Sequence, residues 1–452
     1  MNDINKISSV YFAGIGGIGM SALARYFNDR GVKVTGYDKT PTPLTDKLIG
    51  EGIQIHFKDD IGQLDKNADI VVYTPAIPAT HTELQYYRDN NYLLLKRSDI
   101  LGLLTKNTFN ICVAGTHGKT TTSAMIAHIL RDSGYGCNAF LGGIAANYDT
   151  NFWGSDNKVS VAEADEYDRS FLKLQPDIAI ITAMDPDHLD IYGTEKNMQD
   201  AFIEFTAKIK QGGSLLVKDT VKRRAEFKGA NKMTYSAFNE NADVHIENLA
   251  TENGSYRFDV LIKDKRISDV LLNMGGMHNV ENVTAAIAAA DHLRIEKPKI
   301  KKAVASFAGV KRRFEYVLKN AETVMIDDYA HHPEELRALI SGAKELFPGK
   351  KCTVVFQPHL FSRTKDLAEG FAEVLSIADE TILLPIYPAR ELPMDGVTSK
   401  IILEKMTNIK KSIKEKVELL SWVKDNRPEL LITAGAGDID TMVQPIKNIL
   451  EQ

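Results

Sequence analysis

The run Gly115-Thr116-His117-Gly118-Lys119-Thr120 carries the strongest chemical signal in the chain. It is a shortened form of the GxxxxGK[ST] phosphate loop: Val113 stands where the first glycine is usual, and Gly115 leads instead. The working parts remain. Backbone amides can cradle phosphates, Lys119 can reach β/γ oxygens, and the Thr120 hydroxyl can take Mg²⁺. A chance GKT in a loop is common, but this one follows an apolar strand-like run and opens a helix-like one. Two acidic runs come next, Glu163-Ala164-Asp165-Glu166-Tyr167-Asp168 and Asp185-Pro186-Asp187-His188-Leu189-Asp190. Both follow short apolar runs, so both fall where ligands collect at the carboxyl ends of a parallel sheet. Mg²⁺ favours carboxylate and phosphate oxygens, and His188 could complete such a shell. A solvated acidic loop is the plain alternative, and the neighbouring phosphate loop weighs against it.

A second loop opens the chain. Gly14-Ile15-Gly16-Gly17-Ile18-Gly19 fits GxGxxG between a strand-like and a helix-like run, and Asp38 ends the following strand at the spacing of a ribose ligand. Glycines let backbone amides approach a pyrophosphate at a helix N-terminus. A nicotinamide dinucleotide satisfies that physics, a UDP-sugar satisfies it equally, and a tight structural turn needs no ligand.

These loops need strands and helices to hold them. Apolar runs at Val10–Ala13, Val32–Tyr37, Ile70–Tyr73 and Tyr92–Leu95, with helical stretches such as Met20–Asp29 between them, imply a parallel sheet with crossover helices. A helical stretch over Arg97–Asn110 leads to a fresh strand, Ile111–Ala114, then the helix Thr121–Asp132 and strands Val159–Glu163 and Ile178–Thr182. Residues 230–275 alternate with Asn and Gly turns and predict a small antiparallel excursion; a helix-rich stretch, Asn282–Phe307, closes the segment. Strands Val324–Asp327, Thr353–Phe356, Ile382–Ile386 and Leu430–Thr433 repeat the α/β pattern. The expectation is three α/β domains: residues 1–106 Rossmann-like, 107–316 P-loop-ATPase-like with the antiparallel excursion, and 317–452 Rossmann-like again.

Bulk properties agree. A chain of 452 residues exceeds one ordinary core. The formal net charge of -5 argues against nucleic acid as a partner. Three scattered cysteines, Cys112, Cys137 and Cys352, show no CxxC spacing and suit a reducing, cytoplasmic compartment. The start MNDINKISSVYFAGIGGIGM lacks the pattern of a signal peptide, and no apolar run is long enough for a membrane span.

Taken in order, GIGGIGM (14–20), AGTHGKTTT (114–122), EADEYD (163–168), DPDHLD (185–190), GMHNVEN (276–282), FAGVKRRFE (307–315), DDYAHHP (327–333), FQPHLFSRT (356–364) and GAGD (435–438) resemble the Mur ligase family nearly end to end. The resemblance implies an ATP-dependent ligase that activates a carboxylate as an acyl phosphate and forms an amide with an amino acid, releasing ADP and phosphate. FLKLQP after EADEYD, and DDYAHHP with FQPHLFSRT, resemble the branch that joins L-alanine to UDP-N-acetylmuramate in peptidoglycan synthesis. The alternative is the branch that adds a recycled murein tripeptide to the same sugar nucleotide.

The resemblance implies roles residue by residue. Gly14, Gly16, Gly17, Gly19 and Asp38 fall to the UDP-sugar. Gly115, Thr116, His117, Gly118, Lys119, Thr120, Thr121, His278, Asn279, Asn282, Arg313 and Asp328 fall to ATP. Thr120, Glu163 and His188 fall to Mg²⁺, with two ions expected; Glu166 is a second candidate carboxylate, and Arg312 a second candidate arginine. Lys119, Arg313, His188 and His331 fall to catalysis, and Tyr329, His359 and Arg363 to the amino acid. Helix caps, a surface ion-pair patch and a Pro-started helix are the plain readings of HNVEN, RR and HHP. Leu360 and Arg390 depart from some relatives. Where later-acting members carry a carbamylated lysine, this chain has Ile203 and Glu204. A monomer or weak homodimer is expected.

Overall fold

A computed structural model describes residues 6–187, 189–389 and 391–452, without the side chains of residues 189 and 190. His188 and Arg390 therefore lie outside the described residues. The chain forms three sheets. The first has strands β1 (Ser9–Ala13), β2 (Lys33–Tyr37), β3 (Gln54–His56), β4 (Ile70–Tyr73) and β5 (Leu94–Lys96) in the order β3-β2-β1-β4-β5, all parallel. Fully buried β1 and its apolar neighbours are what a sheet covered on both faces requires.

The central sheet has ten strands: β6 (Phe109–Ala114), β7 (Asn138–Ala145), β8 (Thr150–Trp153), β9 (Val159–Ala164), β10 (Ile178–Ile181), β11 (Ser214–Lys218), β12 (Asn231–Ser236), β13 (Val244–Glu252), β14 (Ser255–Ile262) and β15 (Lys265–Leu272). Their order is β15-β14-β13-β12-β11-β10-β6-β9-β7-β8. The expected antiparallel excursion starts later than the sequence suggested, because β12 pairs in parallel with both β11 and β13. Strands β13 and β14 are joined by Asn253 and Gly254 at φ 49 and 73, the two left-handed residues of a tight hairpin turn. A second antiparallel hairpin, β7–β8, has no counterpart in the sequence reading.

The third sheet has β16 (Glu315–Lys319), β17 (Val324–Asp328), β18 (Cys352–Phe356), β19 (Glu380–Leu383), β20 (Lys410–Ile413) and β21 (Leu430–Ala434) in the order β16-β17-β21-β18-β19-β20. Only the β16–β17 pair is antiparallel.

The three sheets fall into two compact units. One holds residues 1–247, 260–267 and 281–303; the other holds 248–259, 268–280 and 304–452. In the first unit, the helix Ile18–Asp29 after the glycine loop shares one apolar core with the central sheet. Tyr26 lies 5.4 Å from Phe140 and 6.0 Å from Phe152 between ring centroids. No helix among the described residues is long and apolar enough to cross a membrane.

Candidate active site

The phosphate loop lies at the carboxyl end of β6 and opens the helix Lys119–Asp132. Gly118 sits at φ +81 as the helix N-cap, and Gly115 at φ +141, with the Thr182 hydroxyl where a Cβ would stand. Both conformations suit glycine. Thr182 donates from that hydroxyl to the His117 carbonyl, and Thr116 Oγ1 accepts from the Asp185 amide at 3.1 Å, so the DPDHLD run braces the loop. His117 is exposed, 3.9 Å from the Asp185 carboxylate. Thr121 is buried in the helix, and Asn282 packs its carboxamide against Gly118.

The two glutamates of EADEYD separate cleanly. Lys119 Nζ donates to both oxygens of Glu166 at 2.7 and 2.8 Å and to the Gly115 carbonyl at 2.7 Å. Glu166 is fully buried, while Lys119 stays partly exposed; Tyr192 donates to the Glu166 carbonyl at 2.6 Å. Burial pushes the Tyr192 phenol up to about 12, so it stays a donor at neutral pH. Glu163 instead accepts from the Thr120 hydroxyl at 3.1 Å and from the Gly142 amide of β7. A carboxylate beside the phosphate-loop hydroxyl is the oxygen pair that fits Mg²⁺; Glu166, engaged by Lys119, is placed on the lysine.

The glycine loop faces the same region. Gly14 has φ +87, Gly16 donates to Asp38 Oδ2 at 2.8 Å, and Gly17 caps the helix. A Cβ on Gly16 would meet that carboxylate at 2.8 Å, so Asp38 and the loop close on each other. Gly19 lies under Arg97, whose guanidinium pairs with Asp165 at 3.2 Å. Ile18, Gly19, Arg97, Lys119, Gly142 and Glu163 line a cavity of about 200 Å³. The sequence reading missed Arg97 and Gly142: a lone arginine starting a helix and a glycine inside a strand carry no motif.

The second unit brings Tyr329, His331 and His359 together. Ring centroids lie 5.3 Å apart for Tyr329 and His331, and 6.3 Å for His331 and His359. His331 Nδ1 is 3.0 Å from the Tyr329 carbonyl and 3.4 Å from Glu335. Burial, then the neighbouring Arg363 charge, lowers the His359 pKa and so favours the neutral imidazole. Its Nδ1 is buried without a hydrogen-bond partner among the described residues, and its ring stacks on Tyr387 at 5.9 Å. Leu360, at φ +69, makes the strained turn into the helix Phe361–Asp366 that carries Arg363.

Arg312 and Arg313 part company. Arg312, at φ +60, reaches Asp327 and Asp440 at 3.5 Å each, donates to the Gly435 carbonyl and lies over the Tyr329 ring. Arg313 is exposed, and its charge acts on the Asp328 carboxyl against the rise that burial causes. Asp328 accepts from the Phe314 and Ala330 amides at 2.6 and 2.7 Å, while burial pushes its carboxyl up to about 6. His278 is exposed at the start of the helix Met277–His292, and Asn279 donates to the Gly275 carbonyl at 2.6 Å, as a helix-start residue would.

A glycine-loop sheet, a phosphate-loop sheet with paired glutamates and a third α/β sheet are the architecture of a nucleotide-binding class of α/β protein. Residues 9–108 match the Mur ligase family catalytic domain, 113–290 the Mur ligase middle domain and 312–439 the Mur ligase glutamate ligase domain. The chain belongs to the Mur ligase family. It is 49% identical to a UDP-N-acetylmuramate–L-alanine ligase of Flavobacterium johnsoniae, over 100% of this chain and 99% of the relative. It is 48% identical to a protein of the same description from Cytophaga hutchinsonii, over 100% and 98%. The crystal structure of UDP-N-acetylmuramate–alanine ligase from Thermotoga maritima superposes with a TM-score of 0.82 at 28% identity, covering 98% of this chain and 99% of that one. A murein peptide ligase from Psychrobacter arcticus shares the fold, with a TM-score of 0.67 at 22% identity over 98% of each chain.

Proposed function

We propose that this chain joins L-alanine to the carboxylate of UDP-N-acetylmuramate at the expense of ATP, by way of an acyl phosphate, releasing ADP and phosphate. The observation that carries the reading is the meeting of glycine loop, Lys119, Glu163 and Arg97 around one cavity, in a chain whose curated relatives of that description match it end to end. We place the domain boundaries at 106 and 316.

The glycine loop and Asp38 hold the UDP diphosphate and ribose. The phosphate loop holds ATP, with Asn282, Asn279 and His278 at the base and Asp328 at the ribose. A carboxylate oxygen of the sugar nucleotide attacks the γ-phosphorus, the bond to the β,γ-bridging oxygen breaks, and ADP leaves. Lys119 and Arg313 stabilise the charge that builds on the transferring group. Lys119 must exchange Glu166 for phosphate oxygens to do so. The alanine nitrogen then attacks the acyl carbon, phosphate departs, and the ammonium proton passes to His331, whose Nδ1 is turned to the Tyr329 carbonyl and whose Nε2 is left to accept it. Thr120 and Glu163, with His188, would hold Mg²⁺, two ions in all, which supplies charge neutralisation at the phosphates. Tyr329, His359 and Arg363 enclose the amino acid. The enzyme acts in the cytoplasm as a monomer or weak homodimer.

Phosphate release with UDP-N-acetylmuramate is the test, comparing free L-alanine with the murein tripeptide. Alanine is expected to give the higher kcat/KM. A higher value with the tripeptide would reassign the chain to the recycling branch.

A further inference from the structure

The hairpin β7–β8 touches both halves of the cavity that the phosphoryl transfer needs. Through β7, the Gly142 amide donates to Glu163, the carboxylate that also takes the Thr120 hydroxyl. Through β8, Asn151 reaches the glycine-loop helix of the first sheet. Asn151 is completely buried, and every hydrogen-bonding group of its carboxamide is used: Nδ2 donates to the Ile18 carbonyl at 2.5 Å and to Ser21 Oγ at 2.9 Å, while Oδ1 accepts from Arg25. Arg25, itself buried, holds Glu51 with its other nitrogens at 2.8 to 3.0 Å. Ile18 stands between Gly17 and Gly19, in the first turn of the helix that the glycine loop opens.

Apolar packing of Tyr26 on Phe140 and Phe152 would by itself allow that helix to slide, because dispersion contacts are non-directional. A carboxamide with three directed bonds, in a site where an unmade bond costs its full desolvation, fixes one register. We propose that Asn151, locked by Arg25, is a positioning residue for acyl-phosphate formation. It sets the distance between the glycine loop and the Glu163–Thr120 pair, and so between the substrate carboxylate and the γ-phosphate. It touches neither substrate. In-line attack needs reacting atoms about 3–3.5 Å apart, and a displacement of about 1 Å can cost about a hundredfold in rate.

The inference rests on the proposed substrates, so wild-type turnover with UDP-N-acetylmuramate, ATP and L-alanine is measured first; no turnover refutes both readings. With the wild type active, Asn151→Ala should bind ADP and UDP-N-acetylmuramate by calorimetry with Kd values within about threefold of wild type and stoichiometry near one, since each ligand's own loop is intact. Its kcat, counted per nucleotide-binding site, should fall at least about tenfold. Counting per binding site separates misplacement from a smaller folded fraction. Asn151→Asp, which keeps an acceptor for Arg25 but gives the Ile18 carbonyl no donor, should fall with it. Glu51→Gln, at the solvent side of Arg25, should stay within about twofold. A kcat per site within threefold of wild type in Asn151→Ala overturns the proposal, as does a kcat loss matched by equal weakening of both Kd values.

Discussion

Gly142→Ala probes the carboxylate assigned to Mg²⁺ without replacing Glu163 itself. An added Cβ would lie 2.5 Å from both oxygens of Glu163 and 2.7 Å from its Cδ. Ordinary contact needs about 3.5 Å, so the carboxylate must retreat by about 1 Å. The backbone itself tolerates alanine, because Gly142 is not among the residues with positive φ. Glu163 is the flexible partner, so the overlap resolves by displacing the carboxylate that the Thr120 hydroxyl and the Gly142 amide hold. Unrelieved, the same overlap would cost about 1–3 kcal/mol of stability; relieved, it appears as misplacement, worth up to about a hundredfold in kcat, or about 2.7 kcal/mol. The assay is phosphate release across a Mg²⁺ titration, beside a thermal melt. Expected are a kcat reduced at least tenfold, a higher Mg²⁺ requirement and a nearly unchanged melt. A variant with kcat within threefold of wild type and an unaltered Mg²⁺ requirement would show that Glu163 does not need this position.

Lys119→Ala should retain less than about a tenth of wild-type turnover, since a cation at a transferring phosphoryl group is worth roughly 3 kcal/mol or more; a faster purified variant would remove the lysine from the mechanism. Burial raises the Asp327 carboxyl to about 7, well above the ordinary value of about 3.9 in an unfolded chain. A raised acid favours the protonated fold, so the stability it contributes at low pH is lost as pH climbs from about 4 to about 7. The melting temperature of Asp327→Asn relative to wild type should therefore be higher at pH 8 than at pH 5, and the opposite slope would contradict the assignment. Tyr329→Ala should lower the preference for L-alanine over L-leucine, because Tyr329 is taken to close the pocket around the methyl group; an unchanged ratio in a competition assay removes it from the pocket. Intact-mass and crystallographic analysis should find no carbamylated lysine, since Lys196 and Lys208 are paired on the surface with Asp200 and Glu204 at 2.7 and 3.7 Å.

The local motifs were legible because their chemistry is written in adjacent residues. A glycine loop or a GKT at a strand end announces itself, and the buried runs Ile70–Tyr73 and Ile178–Ile181 could be little else than strands. Choices that depend on distant partners were not legible. Nothing in EADEYD says that Glu166 turns to Lys119, 47 positions away, while Glu163 turns to Thr120, 43 away. Neither could spacing separate Arg312 from Arg313; the left-handed backbone at Arg312 does so by pointing it at Asp327 and Asp440. The β7–β8 hairpin escaped because Gly142 and Gly143 interrupt its apolar run, and glycine inside a strand weakens the pattern by which strands are recognised. Its function-bearing residues, Gly142 and Asn151, were lost with it.

The shared core beneath the first two sheets bears on modularity. A cut between the sugar-nucleotide and nucleotide-triphosphate segments follows the family boundaries, yet it would strip Tyr26 of Phe140 and Phe152 and leave Arg25 without Asn151. A chimaera that imports a foreign first sheet must import a matching hairpin surface as well. Donor and recipient are thus compatible or not at a handful of side chains on β7 and β8, far from either ligand loop in sequence, and those positions rather than the loops are where grafts between ligases of different specificity should be matched.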